Sequence, residues 1–109
     1  MKITYEIDSM DWADSNGESD REKCVDALGE WFDGLSDKTK LAIFYAQQYG
    51  SDNNRQPNKL FDPWNDGCPW LAMLFAAQDR IIRRHAPWVL GEHGPTSGYN
   101  FQLYVHLEQ

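Results

Sequence analysis

Five side chains in this sequence could serve as nucleophiles or soft metal ligands: Cys24, Cys68, His85, His93 and His106. Zinc sites collect such residues in close pairs such as C-x2-C or H-x3-H. No two of the five stand at that spacing. A catalytic thiol needs a lowered pKa and a base within reach. Cys68 is the one candidate, because Pro69 after it suits the first position of a helix, and His85 or His93 would be its base. Cys24 falls on the apolar face of a helix, where a thiol packs as a small hydrophobe. His85, beside Ile81 and Ile82, reads as a hydrogen-bonded residue at a helix end. Residues 14–18, Asp-Ser-Asn-Gly-Glu, have the flavour of a calcium loop. Setting Gly17 at the invariant glycine puts Trp12 at the first ligand and Lys23 at the bidentate one, so that pattern fails. No G-x-S-x-G, P-loop or G-x-G-x-x-G occurs. The expectation is a non-catalytic protein with no cofactor and no metal.

The carboxylates are more telling. Residues 1–37 hold eleven acids and three bases, a net of −8, whereas residues 38–109 hold six acids and seven bases, a net of +1. Within the first third, Glu22, Asp26, Glu30 and Asp33 follow one another at i+4, i+4 and i+3. On a helix those spacings stack them in one line. No Lys or Arg is interleaved on that line, and like charges at such spacing cost about 0.2–0.5 kcal/mol per pair. The line covers roughly 16 Å at a rise of 1.5 Å per residue. A nucleic acid strand is denser, at about one charge per 3.4 Å. Asp8, Asp11 and Asp14 would thicken the line if their segment folds beside it. Two readings stand together here: a solvated helix face, and a surface that meets a basic partner.

The elements that must position these residues follow from apolar periodicity. Ile3, Tyr5 and Ile7 alternate over residues 2–7 as one face of a strand, and residues 8–18 are a polar loop. Ser19 and Glu22 form a capping box that opens a helix. Its apolar residues Cys24, Val25, Leu28, Trp31 and Phe32 lie opposite the acidic line, and Gly34 stops it. Ser36 caps a second helix, with Leu41, Phe44, Tyr45, Gln48 and Tyr49 on one side, Ile43 pointing elsewhere, and Gly50 at the end. Pro69 opens a third helix, with Trp70, Leu71, Leu74, Phe75, Gln78, Ile81, Ile82 and His85 on one face and Arg80, Arg83 and Arg84 on the other. That basic face is expected to pair with the acidic first third and with Asp79. Residues 99–107 alternate again, turning Tyr99, Phe101, Leu103, Val105 and Leu107 inward.

The predicted fold is therefore α+β, in the order β-α-α-α-β. The terminal strands pair in a small antiparallel sheet with the helices on one face. Two strands alone are marginal, so a third strand near residues 88–90, or pairing across a homodimer, would complete the sheet. At 109 residues the chain forms a single compact domain. Residues 51–68 make a long loop within it, and its embedded Phe61 and Trp64 would either anchor a partner or fold back as a lid. No apolar run approaches the ~18 residues of a membrane span, and the first residues lack a signal-peptide pattern. A cytoplasmic protein with reduced cysteines is expected.

A net charge of −7 opposes direct binding to nucleic acid and suits a basic protein surface. The candidate partner-binding residues are Glu22, Asp26, Glu30, Asp33, Asp8, Asp11 and Asp14, with Phe61 and Trp64 as apolar anchors. In its small size, its acidity and its lack of enzyme motifs the chain resembles the anti-CRISPR and antirestriction proteins that phages and plasmids use against host defence. The resemblance lies in character, not in a shared motif. It implies an inhibitor that occupies a basic, nucleic-acid-binding surface on its target, as a nucleic-acid mimic does. The alternatives are a non-catalytic adaptor or structural subunit of a larger complex, and a small cysteine- or metal-dependent enzyme.

Overall fold

Both ends of the chain meet in one sheet. The computed structural model describes residues 2–9, 17–51, 69–90 and 101–108. Strand β1 (Lys2–Asp8) is followed by helices α1 (Gly17–Asp33), α2 (Asp37–Ser51) and α3 (Pro69–His85), a 3-10 turn (Pro87–Leu90) and strand β2 (Gln102–Glu108). The two strands pair antiparallel, from Lys2 opposite Glu108 to Asp8 opposite Gln102. This is the expected α+β arrangement.

Strand alternation sets which face is covered. Phe101, Leu103 and Val105 are buried, and Ile3, Tyr5 and Ile7 pack half-buried against the same core. In α1 the core stripe is Cys24, Leu28 and Phe32, one residue per turn, each at most 1% exposed. The Phe32 ring lies 5.1 Å from that of Tyr5, tilted by 59°, so the helix is tied to β1. The helix begins at Gly17, which places Ser19 inside its first turn instead of at the cap. It stops at Asp33, where the Gly34 N–H donates to the Glu30 carbonyl at 3.1 Å.

Ser36 caps α2 as expected: its Oγ accepts the Thr39 N–H at 3.2 Å. The buried face of α2 differs from the sequence expectation. Ile43 and Ala46 are fully buried, while Tyr45 is 57% exposed and Gln48 is also exposed. The helix runs through Gly50 to Ser51. Ala46 forms a small buried cluster with Leu71 of α3, and a methyl side chain lets the two helices approach closely. In α3 the buried residues are Leu71, Leu74, Ala77, Gln78, Ile81 and Ile82, close to the expected face. Trp70 and Phe75 at its start remain more than a third exposed.

No third strand forms at residues 88–90. That segment is the 3-10 turn, which buries Val89 and turns Trp88 outward. Val89 alone plugs the core there, and a segment of four residues opening on a proline is too short to build a ladder. Two glutamines close the edge of β2 instead. Gln47 Nε2 donates to the Leu103 carbonyl at 2.7 Å, and its Oε1 accepts the Val105 N–H at 2.9 Å. Gln78 Oε1 accepts the Leu103 N–H at 3.1 Å. A primary amide carries the donor and acceptor of a peptide unit, so these side chains stand where a neighbouring strand would.

Candidate interaction surface

The acidic line is the residue set that sequence and fold place together. Cys24, Leu28 and Phe32 point α1 into the core, and the helical period then turns Glu22, Asp26, Glu30 and Asp33 to the opposite side. All four are exposed. Among the described residues none of them makes an ion pair. The ion pairs there are Lys23 with Asp20 at 4.0 Å and Arg83 with Asp79 at 2.8 Å, and the His106 imidazole lies 3.3 Å from the Glu6 carboxylate.

The basic face of α3 leaves that line uncompensated. Arg83 pairs with Asp79 on its own helix, as expected, but among the described residues Arg80 and Arg84 reach no acid of α1. Helices α1 and α3 pack through their apolar stripes, which holds their charged faces apart. Asp20 serves structure: its Oδ2 accepts the Trp88 indole N–H at 2.9 Å, pinning the start of α1 to the 3-10 turn.

Asp8 is the last residue of β1, not a loop residue. One of its carboxylate oxygens is shielded from solvent and has no hydrogen-bond partner. Ser9, next in the chain, accepts a hydrogen bond at 3.2 Å from Arg21 in the second turn of α1, so the end of β1 lies close to the start of the acidic helix. Asp11, Asp14, Phe61 and Trp64 lie outside the described residues, as do Cys68 and His93.

The structure adds Tyr5 to this surface. A Cβ built on Gly29 would stand 2.5 Å from the Tyr5 hydroxyl oxygen, so the phenol lies directly over the helix backbone. Gly29 sits between Asp26 and Asp33 in the sequence. Burial is the main cause that pushes the Tyr5 pKa up, and Asp33 and Asp26 add to it. The tyrosine therefore joins β1 to the acidic side of α1. The signal for it was Gly29, which costs about 1 kcal/mol against alanine in a helix interior. A glycine kept there marks a close approach.

The remaining chemical candidates are quiet. Cys24 is fully buried with a free thiol, and burial, helped by Asp20, pushes its pKa up to about 11. The thiolate needed for nucleophilic attack is scarce at neutral pH. His85 is half-buried at the end of α3. Among the described residues no three His, Cys, Asp or Glu side chains come together in a way that could hold a metal ion. No helix among them is long and apolar enough to cross a membrane. No protein-family model matches the chain, and no curated protein or solved structure shows significant similarity to it.

Proposed function

We propose that this protein is a non-catalytic binding protein whose acidic α1 face occupies a basic surface on another protein. The reading extends to an inhibitor of the phage or plasmid anti-defence kind, acting on a nucleic-acid-binding target. One observation carries it: four carboxylates in a line, all exposed, with no basic partner among the described residues. Such a line costs the helix roughly 1 kcal/mol of self-repulsion, and a basic partner turns that cost into attraction. Carboxylates of this kind steer encounter and set partner choice. The adaptor reading draws instead on the exposed Trp70 and Phe75 at the start of α3, since aromatic residues dominate interface energies.

Changing Glu22 and Glu30 to Gln and Asp26 and Asp33 to Asn together tests the proposal. The captured partner is expected to be a basic nucleic-acid-binding protein, held at low salt and released at high salt. The quadruple variant should lose it. Unchanged capture by the variant refutes the acidic face as the binding surface.

A further inference from the structure

The two edges of the sheet are finished differently. Leu103 and Val105 turn their backbone groups away from β1, toward Gln47 and Gln78. In an antiparallel pair their partners do the mirror image. The pairs are Ile7 with Leu103, Tyr5 with Val105 and Ile3 with Leu107. The N–H and C=O groups of Ile3, Tyr5 and Ile7 therefore point away from β2, along the outer edge of β1. Among the described residues no backbone hydrogen bond reaches them. An edge of this kind is a template for one more strand.

Its neighbour is the acidic helix face. Tyr5 stands on β1 with its hydroxyl against Gly29, between Asp26 and Asp33. A strand laid along β1 would turn alternate side chains toward α1, the side on which Ile3, Tyr5 and Ile7 already lie. Alternate residues of a strand are about 6.8 Å apart. Acids spaced four residues apart on a helix rise about 6 Å. One cation at every second position would stay within about 2 Å of Glu22, Asp26 and Glu30 and about 4 Å of Asp33, which follows only three residues on, a drift that a Lys or Arg side chain spans. A second copy of this chain fits less well. Its β1 would bring its own α1 to the same side of the joined sheet, setting two uncompensated acidic lines against each other.

We infer that the outer edge of β1 and the acidic face of α1 form one docking surface for an extended basic segment of a partner protein. The segment adds as a strand antiparallel to β1, so that the residues hydrogen-bonded to Ile3, Tyr5 and Ile7 share their face, with Lys or Arg at those alternate positions facing Glu22, Asp26, Glu30 and Asp33. Main-chain hydrogen bonds give the affinity and the alternating cations give the specificity. The inference rests on the proposed function and specifies the form in which the basic partner binds.

The test uses the full chain and synthetic seven-residue peptides, the length of β1, with Lys and Thr alternating. In the inferred pairing the Lys residues donate their N–H groups to β1, and the Thr N–H groups face away. N-methylation at the Thr positions should leave binding, measured by calorimetry at low salt, within twofold of the parent. N-methylation at the Lys positions should weaken it by about tenfold or more, since it removes several hydrogen bonds. Equal binding of the two methylated peptides overturns strand addition while leaving the electrostatic reading standing. Absence of binding by all three peptides overturns both. A stable dimer of the chain alone that the parent peptide cannot dissociate assigns the edge to a second copy and also overturns the inference.

Discussion

The edge of β2 and the edge of β1 belong to the same two-stranded sheet and carry the same kinds of backbone groups, yet the protein treats them in opposite ways. Along β2, the Leu103 N–H and carbonyl and the Val105 N–H are held internally by the amides of Gln47 and Gln78. Along β1, no described backbone group reaches the outward N–H and C=O of Ile3, Tyr5 and Ile7. The first edge is sealed by helices on its own side; the second runs beside a helix face of uncompensated carboxylates. The contrast separates stability from function. Glutamines that replace a strand finish the fold, whereas the unfinished edge beside fixed charge is where the proposed partner would add.

Breaking the sealed edge should have the largest effect. Gln47→Met keeps the side chain's length but strips two hydrogen bonds, stranding the Val105 N–H and leaving the Leu103 carbonyl only the longer bond from the Gln102 amide at 3.3 Å. At about 1–3 kcal/mol for the unsatisfied N–H and about 0.5–1.5 kcal/mol for the other lost bond, a loss of about 2–4 kcal/mol is expected in urea unfolding. A loss under 1 kcal/mol would mean that water replaces the amide and that the edge is not sealed. Disturbing the open edge from beneath should cost somewhat less. Gly29→Leu drives a side chain into the Tyr5 hydroxyl. Overpacking of that kind costs about 1–3 kcal/mol, and near-UV circular dichroism should report the displaced tyrosine.

Much of this was legible in the sequence, and the misses have physical causes. Period-2 alternation located both strands because one face of each meets the core. The stripe of Cys24, Leu28 and Phe32 located α1 and, by exclusion, its acidic line. On α2 the side opposite Phe44 is covered too, as Ile43 pointing elsewhere implies, and both pack in the core. Tyr45 and Gln48 differ, being exposed, because the contact with α3 is made by the small Ala46, which carries little apolar signal. Residues 88–90 suggested a strand because short apolar runs look alike in a turn and a ladder. The role of Gln47 was hidden, since a glutamine on a helix reads as solvent-facing until the strand it caps is known. Tyr5 was visible as a strand residue. Its place at the acidic surface needed the Gly29 contact, which joins positions far apart in sequence.

Smaller effects sharpen the comparison further. The quadruple change of the acidic line to Gln and Asn should stabilise the protein by about 1 kcal/mol through relief of like-charge repulsion, even as partner binding is lost. A gain in stability with loss of binding marks a face kept for function; destabilisation would mean that the carboxylates have structural partners. The smallest effect is on Tyr5. Burial, then Asp33 and Asp26, hold its pKa above the ordinary 10.0. Asp26→Asn with Asp33→Asn should move its ultraviolet titration back toward that value, while burial keeps part of the shift. A raised tyrosine pKa makes the fold most stable below about pH 10 and weaker as pH climbs through the folded value. The double variant should show less of that alkaline loss.

Amide hydrogen exchange on the unliganded chain tests the contrast between the two edges most directly. The N–H groups of Leu103 and Val105, held by glutamine side chains, should exchange slowly, close to the rate of global unfolding. Those of Ile3, Tyr5 and Ile7 should exchange far faster, although they lie in the same sheet and in register with β2. Equal protection on both edges would show that β1 is already covered, and would contradict the account.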